Sequence, residues 1–307
     1  MHSTPRAKVN LTLAVGPRGE DGFHPLQAVF LRVGLTDELI VAPAVEGRDT
    51  LTVSGLPDCP VQGNLVLRAF DLVRQAVGYD LPPLTAHLDK RIPMGAGLGG
   101  GSSDGAAAID AALAVWRVGL APEVLAEIEL ALGADVPFFA QGGPVALVEG
   151  RGERVEQLPA ISGELGLLLV TPPIAMSTAQ VFARFDDLGA EGSSGTLSGD
   201  LADAVRAGMS DDELVARAAA LRDANDLWPA AVSLEPRLGA LRDELETRTG
   251  RPWLLTGSGS TLFALFPSAA AAAATGRQLA SDVPERLEGA IINAVDLIGP
   301  APIWRFP

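Results

Sequence analysis

Residues 93–108 read PMGAGLGGGSSDGAAA, and no other stretch limits the chain so strongly. Five of the seven residues from Gly95 to Gly101 are glycine, two serines follow, and an alanine-rich run comes next. Just upstream, LTAHLDKRI (84–92) alternates at Leu84, Ala86 and Leu88, which is the period of a strand. Downstream, Ile109, Ala112, Leu113 and Trp116 share one face of a helix that ends near Gly119. A strand, a glycine loop and a helix in series make an anion site. The helix start offers unpaired N–H groups and about half a positive charge. Glycines let phosphates reach the backbone and permit positive φ. Ser102 and Ser103 add hydroxyls. A plain glycine turn closed by a capping serine is the alternative, but this density of glycine favours a phosphate cradle.

Three common phosphate sites are poor fits. Gly95, Gly97 and Gly100 satisfy G-x-G-x-x-G, yet the stretch about 20 residues on is still helical, where a dinucleotide fold wants an acid at a strand end. No lysine follows the glycines, so the P-loop pattern fails. Neither an H-R-D nor a D-F-G triplet occurs, which removes the protein-kinase set.

The rest of the chain mixes strands and helices. Residues 6–15 alternate, so Val9, Leu11, Leu13 and Val15 should share a core face and Lys8, Asn10 and Thr12 the opposite one. A turn at 16–22 leads to a strand over 23–34, and ELIVA and TLTVSG are further strands. Asn64 and Gly78 bracket a helix, and Pro122 opens another over 122–132. Residues 133–143 are a loop or a short helix, followed by strand, turn and strand through Leu158. A weak break at 158–164 divides the chain into residues 1–160 and 161–307. In the second part LGLLLVTPP is a strand, and glycine, serine and acid over 186–200 predict a mobile loop. Ser210 and Glu213 suit a capping box. RPWLLTGSGSTLFALF predicts strand, glycine turn and strand, with an alanine-rich helix after Ser268.

Composition narrows the partners. The net charge of −15 repels polyanions, so neither nucleic acid nor an acidic membrane is expected to bind. A small anion needs a local positive site, which the glycine loop could supply. With 48% apolar and 20% charged residues in 307, the chain has ample core for one large or two medium domains. Cys59 is the only cysteine, which precludes an internal disulfide and fits a reducing cytoplasm. Three histidines without a Cys/His cluster make a structural zinc site improbable. The alternating N-terminal segment has strand rather than signal-peptide character, and no run of about 18 apolar residues predicts a membrane helix.

The glycine segment resembles the second motif of the GHMP kinases, the superfamily of galactokinase, homoserine kinase, mevalonate kinase and phosphomevalonate kinase. PRAKVNLTLAV is similar to the first motif and LLTGSGSTLFALF to the third, in the expected order and across nearly the whole chain. AKVNLTL, DGFHPLQAVF, LGADVPFF, GRGE and ANDLWPAA further resemble one branch. That branch phosphorylates the 2-hydroxyl of a cytidine-diphosphate-linked methylerythritol in non-mevalonate isoprenoid synthesis. The resemblance implies an α+β fold of two lobes, the first a ribosomal-protein-like βαβ lobe and the second ferredoxin-like. It implies ATP as phosphoryl donor, with Mg²⁺ carried by the nucleotide and no dedicated metal ligands. A homoserine- or mevalonate-type kinase and an inactive GHMP-fold regulator are the alternatives; retention of Asp135 and the glycines disfavours the regulator, and DGFH disfavours the other kinases.

Site residues follow from the same resemblance. Asp135 matches the family's catalytic aspartate, with an N-cap role as the alternative or companion. Lys8 matches the catalytic lysine and would keep a neighbouring carboxylate ionised. Asn10 would orient the substrate. Pro93, Gly95, Gly97, Leu98, Gly99, Gly100, Gly101, Ser102 and Ser103 form the ATP loop, with Asn64 and Lys90 lining the adenine pocket. From the residues alone, Asn64 is equally a helix N-cap and Lys90 an exposed strand charge. Phe23 would stack on the cytosine and His24 bond its edge, although the family usually has tyrosine where Phe23 stands. Thr178 and Phe182 would form the opposite wall. Core roles for Phe23, His24 and Phe182 are the alternative. Trp228 replaces an acidic residue usual in the family.

Overall fold

The alternating opening segment is strand β2 (Arg6–Val15), preceded by the short β1 (His2–Ser3). In a computed structural model, all residues are described except 46, 57–58, 79, 190–191, 282–287 and 298–307. Every residue of β2 from Ala7 to Val15 is buried, so the strand has no solvent face. A bulge at Leu11, between the pairs Asn10↔Phe30 and Thr12↔Val29, turns the strand over. Val9 and Leu11 therefore enter one apolar cluster and Leu13 and Val15 another, instead of sharing one face. Thr12 is drawn away from Lys8 and Asn10, because its Oγ1 accepts from the Val29 amide at 3.1 Å.

Strand β3 (Leu26–Thr36) starts after Pro25, later than the sequence period indicates. Proline has no N–H for a ladder. Phe23 and His24 thus lie on a loop, not in a strand. β2 and β3 join β7 (Val145–Gly150) and β8 (Arg154–Leu158) in an antiparallel sheet of order β2-β3-β7-β8. A second sheet, of order β1-β4-β6-β5, adds β4 (Glu38–Pro43), β5 (Thr50–Gly55) and β6 (Leu84–Lys90). β5 and β6 are parallel, joined by helix α1 (Leu65–Val77). The third sheet has the order β10-β11-β9-β12 and is antiparallel. It comprises β9 (Gly166–Thr171), β10 (Leu254–Leu255), β11 (Leu262–Phe266) and β12 (Ile291–Asp296).

Helix α2 (Gly100–Trp116) follows the glycine loop, then come α3 (Pro122–Leu132) and the short α4 (Val136–Gln141). α2 packs on α1, α4 and the second sheet. The later helices are α5 (Thr178–Asp187), α6 (Gly195–Arg206), α7 (Asp211–Leu221), α8 (Trp228–Leu234), α9 (Pro236–Thr249) and α10 (Ala269–Ser281). α7 carries the Ser210–Glu213 capping box in both directions. The expected mobile loop over 186–200 is corrected. α5 runs through Asp187 and α6 begins at Gly195; residues 190–191 lie outside the described residues. The apolar positions Leu201, Ala202 and Val205 bury α6, a helical spacing that polar composition had hidden. Asp226 pins its start. The Asp226 carboxylate accepts from the amides of Ser193 and Ser194 at 3.1 Å each and from the Ser194 hydroxyl at 2.8 Å.

Residues 159–165 separate β8 from β9, yet both apolar clusters draw on residues from either side of that break. Trp228, at the start of α8, lies under the Arg242 guanidinium at 3.4 Å. Among the described residues no helix is long and apolar enough to cross a membrane.

Candidate active site

Glycine at 97 and 99 follows from crowding. A Cβ on Gly97 would stand 2.1 Å from the Thr256 carbonyl oxygen, and one on Gly99 would meet the Phe139 ring at 3.0 Å and Lys8 Cγ at 3.1 Å. Gly99 is the N-cap of α2 at φ 69°, and no side chain caps the helix. The first turn-closing bond is Ser103 N to Gly99 O at 2.9 Å. The amides of Gly100, Gly101 and Ser102 therefore have no helical acceptor. Pro93 is buried and Leu98 is packed into an apolar cluster, so Leu98 serves the loop through its carbonyl, which accepts from the Lys8 amide at 3.0 Å. Gly95, at the loop's outer edge, is exposed. Ser102 remains half-buried. Ser103 is buried, and its Oγ accepts from the Arg6 amide at 2.8 Å, so the second hydroxyl faces the fold interior rather than the loop mouth.

Lys8 is the meeting point of three segments. Its Nζ donates to Asn10 Oδ1 at 2.7 Å and to the Gly97 carbonyl at 3.0 Å. It also lies 3.4 Å from Asp135 Oδ2 and 4.7 Å from the Phe30 ring centre. Asp135 sits at the N-cap position of α4, but its side chain makes no capping bond. The carboxylate is directed to Lys8 and is 29% exposed, open on its other side. Two devices hold it there. Arg32, buried on β3, donates to the Phe138 and Phe139 carbonyls at 3.2 Å each. That satisfies acceptors near the end of α4. Burial, with Arg6 nearby, lowers the Arg32 guanidinium to about 10. At the other end, Gly152 in the β7–β8 turn packs under Ala134, where a Cβ would meet the Ala134 oxygen at 2.0 Å.

The third glycine turn closes the site from the far end of the chain. Asn10 Oδ1 accepts from Thr256 Oγ1 at 3.1 Å and from the Gly257 amide at 3.0 Å, and Thr256 Oγ1 also donates to the Gly97 carbonyl at 3.0 Å. Asn225 holds this turn through its amide, which donates to the Leu255 and Gly257 carbonyls at 3.0 and 2.8 Å. Thr256, Gly257, Asn225 and Asp226 were not singled out in the sequence; their motifs, TGSGS and AND, were the available signal. Ser258 extends the chain of contacts, since its Oγ is 2.9 Å from Thr178 Oγ1, on the first residue of α5.

One turn further along α5, Phe182 meets His24, not Phe23. The His24 and Phe182 ring centres are 5.5 Å apart at 33°, and Phe185 meets His24 edge-on at 5.8 Å. Phe23 is 57% exposed, with the Arg151 guanidinium 4.3 Å from its ring centre. The structure therefore brings Lys8, Asn10, Asp135, Gly97, Gly99 and Thr178 together, with His24 and Phe182 adjoining through α5.

Asn64 and Lys90 stand apart from that group. Asn64 is the N-cap of α1, its Oδ1 accepting from the Val66 amide at 3.0 Å. Lys90 is not an exposed strand charge: it is 2% exposed, beneath the start of α2. A Cβ on Gly100 would lie 2.8 Å from its Nζ. The ammonium pairs with Asp37 and, at 2.9 Å, with Asp104. Burial pushes the ammonium down, but Asp104 and Asp37 together push it further up, and it stays above its usual range. Burial raises the Asp104 carboxyl to about 8; Lys90 opposes this and Asp37 adds to it. Asp104 Oδ1 is buried without a hydrogen-bond partner. Asp37 ties the trio to the strand end by accepting from the Arg91 and Ile92 amides at 2.5 and 2.8 Å. Asp37 and Asp104 escaped the sequence reading, because carboxylates distant in sequence give no local signal of pairing.

The chain is similar to known proteins over most of its length. The GHMP kinases N terminal domain matches residues 64–143, and the GHMP kinases C terminal domain matches residues 201–285. A 4-diphosphocytidyl-2-C-methyl-D-erythritol kinase of Pelotomaculum thermopropionicum is 39% identical over 263 residues, covering 85% of this chain and 87% of its own. A crystal structure of 4-(cytidine 5'-diphospho)-2C-methyl-D-erythritol kinase superposes with a TM-score of 0.68 at 29% identity, over 96% of this chain and 99% of that one. The mevalonate kinase of L. major, solved with R-mevalonate, superposes at 0.71 but with 16% identity, over 97% and 96% of the two chains. That last likeness concerns the fold alone. Similarity in sequence decides the branch: the chain belongs to the GHMP kinases, in the 4-diphosphocytidyl-2-C-methyl-D-erythritol kinase family.

Proposed function

We propose that the protein transfers the γ-phosphoryl group of ATP to the 2-hydroxyl of 4-diphosphocytidyl-2-C-methyl-D-erythritol, a step of non-mevalonate isoprenoid synthesis in the cytoplasm. One observation carries the reading. Lys8 Nζ bridges the Gly97 carbonyl of the glycine loop and the carboxylate of Asp135, at 3.0 and 3.4 Å. A phosphate held on the loop amides and an alcohol at Asp135 would thus lie on either side of one ammonium.

Phosphoryl transfer depends on in-line placement and neutralised oxygen charge. The amides of Gly100, Gly101 and Ser102 would hold the phosphates at the positive end of α2. Asp135 would take the proton of the attacking hydroxyl. Lys8 would orient that carboxylate and steady the transferring group. Asn10 fixes Lys8 and would orient the acceptor. Phe23, His24, Thr178 and Phe182 would hold the cytidine end. Asn64 borders the adenine side, and Lys90 acts from beneath the loop. Mg²⁺ would arrive with the nucleotide. Bound with the nucleotide, it would neutralise charge on the phosphate oxygens. The lobes divide near residue 160, with the site at their junction.

ATP consumption measured with the cytidine substrate beside homoserine, mevalonate and galactose tests the proposal. Turnover with the cytidine substrate alone is expected. Turnover with another acceptor, or with none, would refute it.

A further inference from the structure

The cytidine end of the site is built from two segments with no covalent proximity. One is the loop 16–25, which carries Phe23 and His24. The other is α5, which carries Thr178 and Phe182. Within the loop the bonds are local: Gly16 N to Pro25 O at 2.7 Å, Gly19 N to Phe23 O at 2.8 Å, and Arg18 Nε to Gly22 O at 3.0 Å. Those bonds shape the loop without fixing its distance from α5.

Asp186, in the last turn of α5, spans that gap. Its Oδ1 lies 3.1 Å from His24 Nε2, and its Oδ2 accepts from Arg18 Nη1 at 3.4 Å. His24 Nδ1 is 2.9 Å from the Gly16 carbonyl, an acceptor only. Both imidazole nitrogens thus face acceptors, one on its own loop and one on α5. The His24 side chain is 7% exposed, packed on Phe182 and Phe185. The imidazole is a rivet between loop and helix, with Asp186 as its anchor. The loop's other ion-pair tether, Arg151 to Asp21, joins side chains 44% and 50% exposed, where pairing contributes little.

We propose that Asp186 is a positioning residue for the cytidine substrate. Its carboxylate holds His24, and with it the loop bearing Phe23, against α5. The proposal rests on the reading of Phe23, His24 and Phe182 as the base pocket. It does not place Asp186 in contact with the substrate.

Steady-state kinetics of Asp186→Ala and Asp186→Asn test it, with calorimetric binding of CMP as a second measurement. Asp186→Ala is expected to raise KM for the cytidine substrate and Kd for CMP about tenfold, because the loop must be ordered at each binding event. KM for ATP and kcat should stay within about twofold, the pattern of lost ground-state binding. Asp186→Asn keeps the size of the side chain and removes its charge, so it should show a smaller rise in the same two constants. His24→Gln should add little on top of Asp186→Ala, as the two act through one contact. An unchanged or lowered KM in Asp186→Ala, an equal rise for ATP, or additive effects in the double variant would overturn the role. Should Asp186→Ala fail to fold, Asp186→Asn with and without His24→Gln decides the matter by the same additivity. If Phe23→Ala weakens CMP and Asp186→Ala does not, the latch alone fails. If neither weakens CMP, the pocket reading fails first.

Discussion

Lys8 Nζ lies 3.4 Å from Asp135 Oδ2, and the two side chains differ sharply in access: the lysine is 3% exposed and the aspartate 29%. The ammonium is fixed on its other sides by Asn10 and the Gly97 carbonyl, so the carboxylate is the member of the pair open to an acceptor. Asp135→Asn keeps the shape and removes the carboxylate proposed as the base. It should lower kcat by roughly 10²- to 10⁴-fold and leave ATP affinity within about twofold. Single-turnover kinetics with calorimetry on the same variant check both; turnover at the wild-type rate would remove Asp135 from the chemistry.

Gly95 and Gly97 both have left-handed backbone, at φ 61° and 78°, but their surroundings differ. A Cβ at 95 meets nothing within 4 Å, and one at 97 strikes the Thr256 carbonyl. Gly95→Ala should cost about 1–2 kcal/mol, the conformational term alone. Gly97→Ala should cost above about 3 kcal/mol, because two backbones must separate. It should also weaken ATP binding. Urea unfolding of the pair decides; equal losses would mean that the clash relaxes freely.

Phe23 exposes most of a large ring at the mouth of the proposed base pocket. Stacking on a base contributes about 1–3 kcal/mol. Phe23→Ala should therefore raise KM for the cytidine substrate roughly five- to hundredfold, with KM for ATP nearly unchanged. Kinetics with each substrate varied in turn give the answer, and parallel rises would count against stacking.

The Lys90–Asp37–Asp104 trio makes stability depend on pH. Asp104 is raised by burial from 3.8 to about 8 in the folded protein. Between those values the unfolded chain has released this proton and the folded chain keeps it. Stability from this group is therefore full at low pH, falls as pH rises from about 4 to about 8, and is level above that. Asp104→Asn abolishes the titration. Its stability relative to wild type should rise between pH 5 and pH 8. Denaturation at several pH values tests this; a constant difference would show that Asp104 does not hold its proton.

Much of the site was legible because its parts are local in sequence. The glycine loop, the Asn64 cap, the Pro122 helix start and the Ser210–Glu213 box each declare themselves within a few residues. Lys8 and Asp135 were found by motif, though nothing local says that they meet. The bulge at Leu11 was invisible, since alternation continues through it while the faces exchange. Lys90 read as a surface charge because its carboxylate partners stand 53 and 14 positions away. α6 was hidden by glycine and serine, and its start depends on Asp226, 32 positions later. Strand β12 and helix α9 gained their places from packing, not from any motif. In each miss a tertiary partner decided what the local pattern left open.

Asn10 and Thr256 are bonded to each other across 246 positions, and Thr256 also donates to the Gly97 carbonyl of the glycine loop. During synthesis the first and second motifs leave the ribosome long before the third. Until Thr256 emerges, the Gly97 carbonyl and Asn10 lack that partner, and the phosphate cradle lacks one wall. The nascent chain can fold early sheets while its pocket waits for the third motif, so the phosphate cradle gains its last wall only after Thr256 has been made.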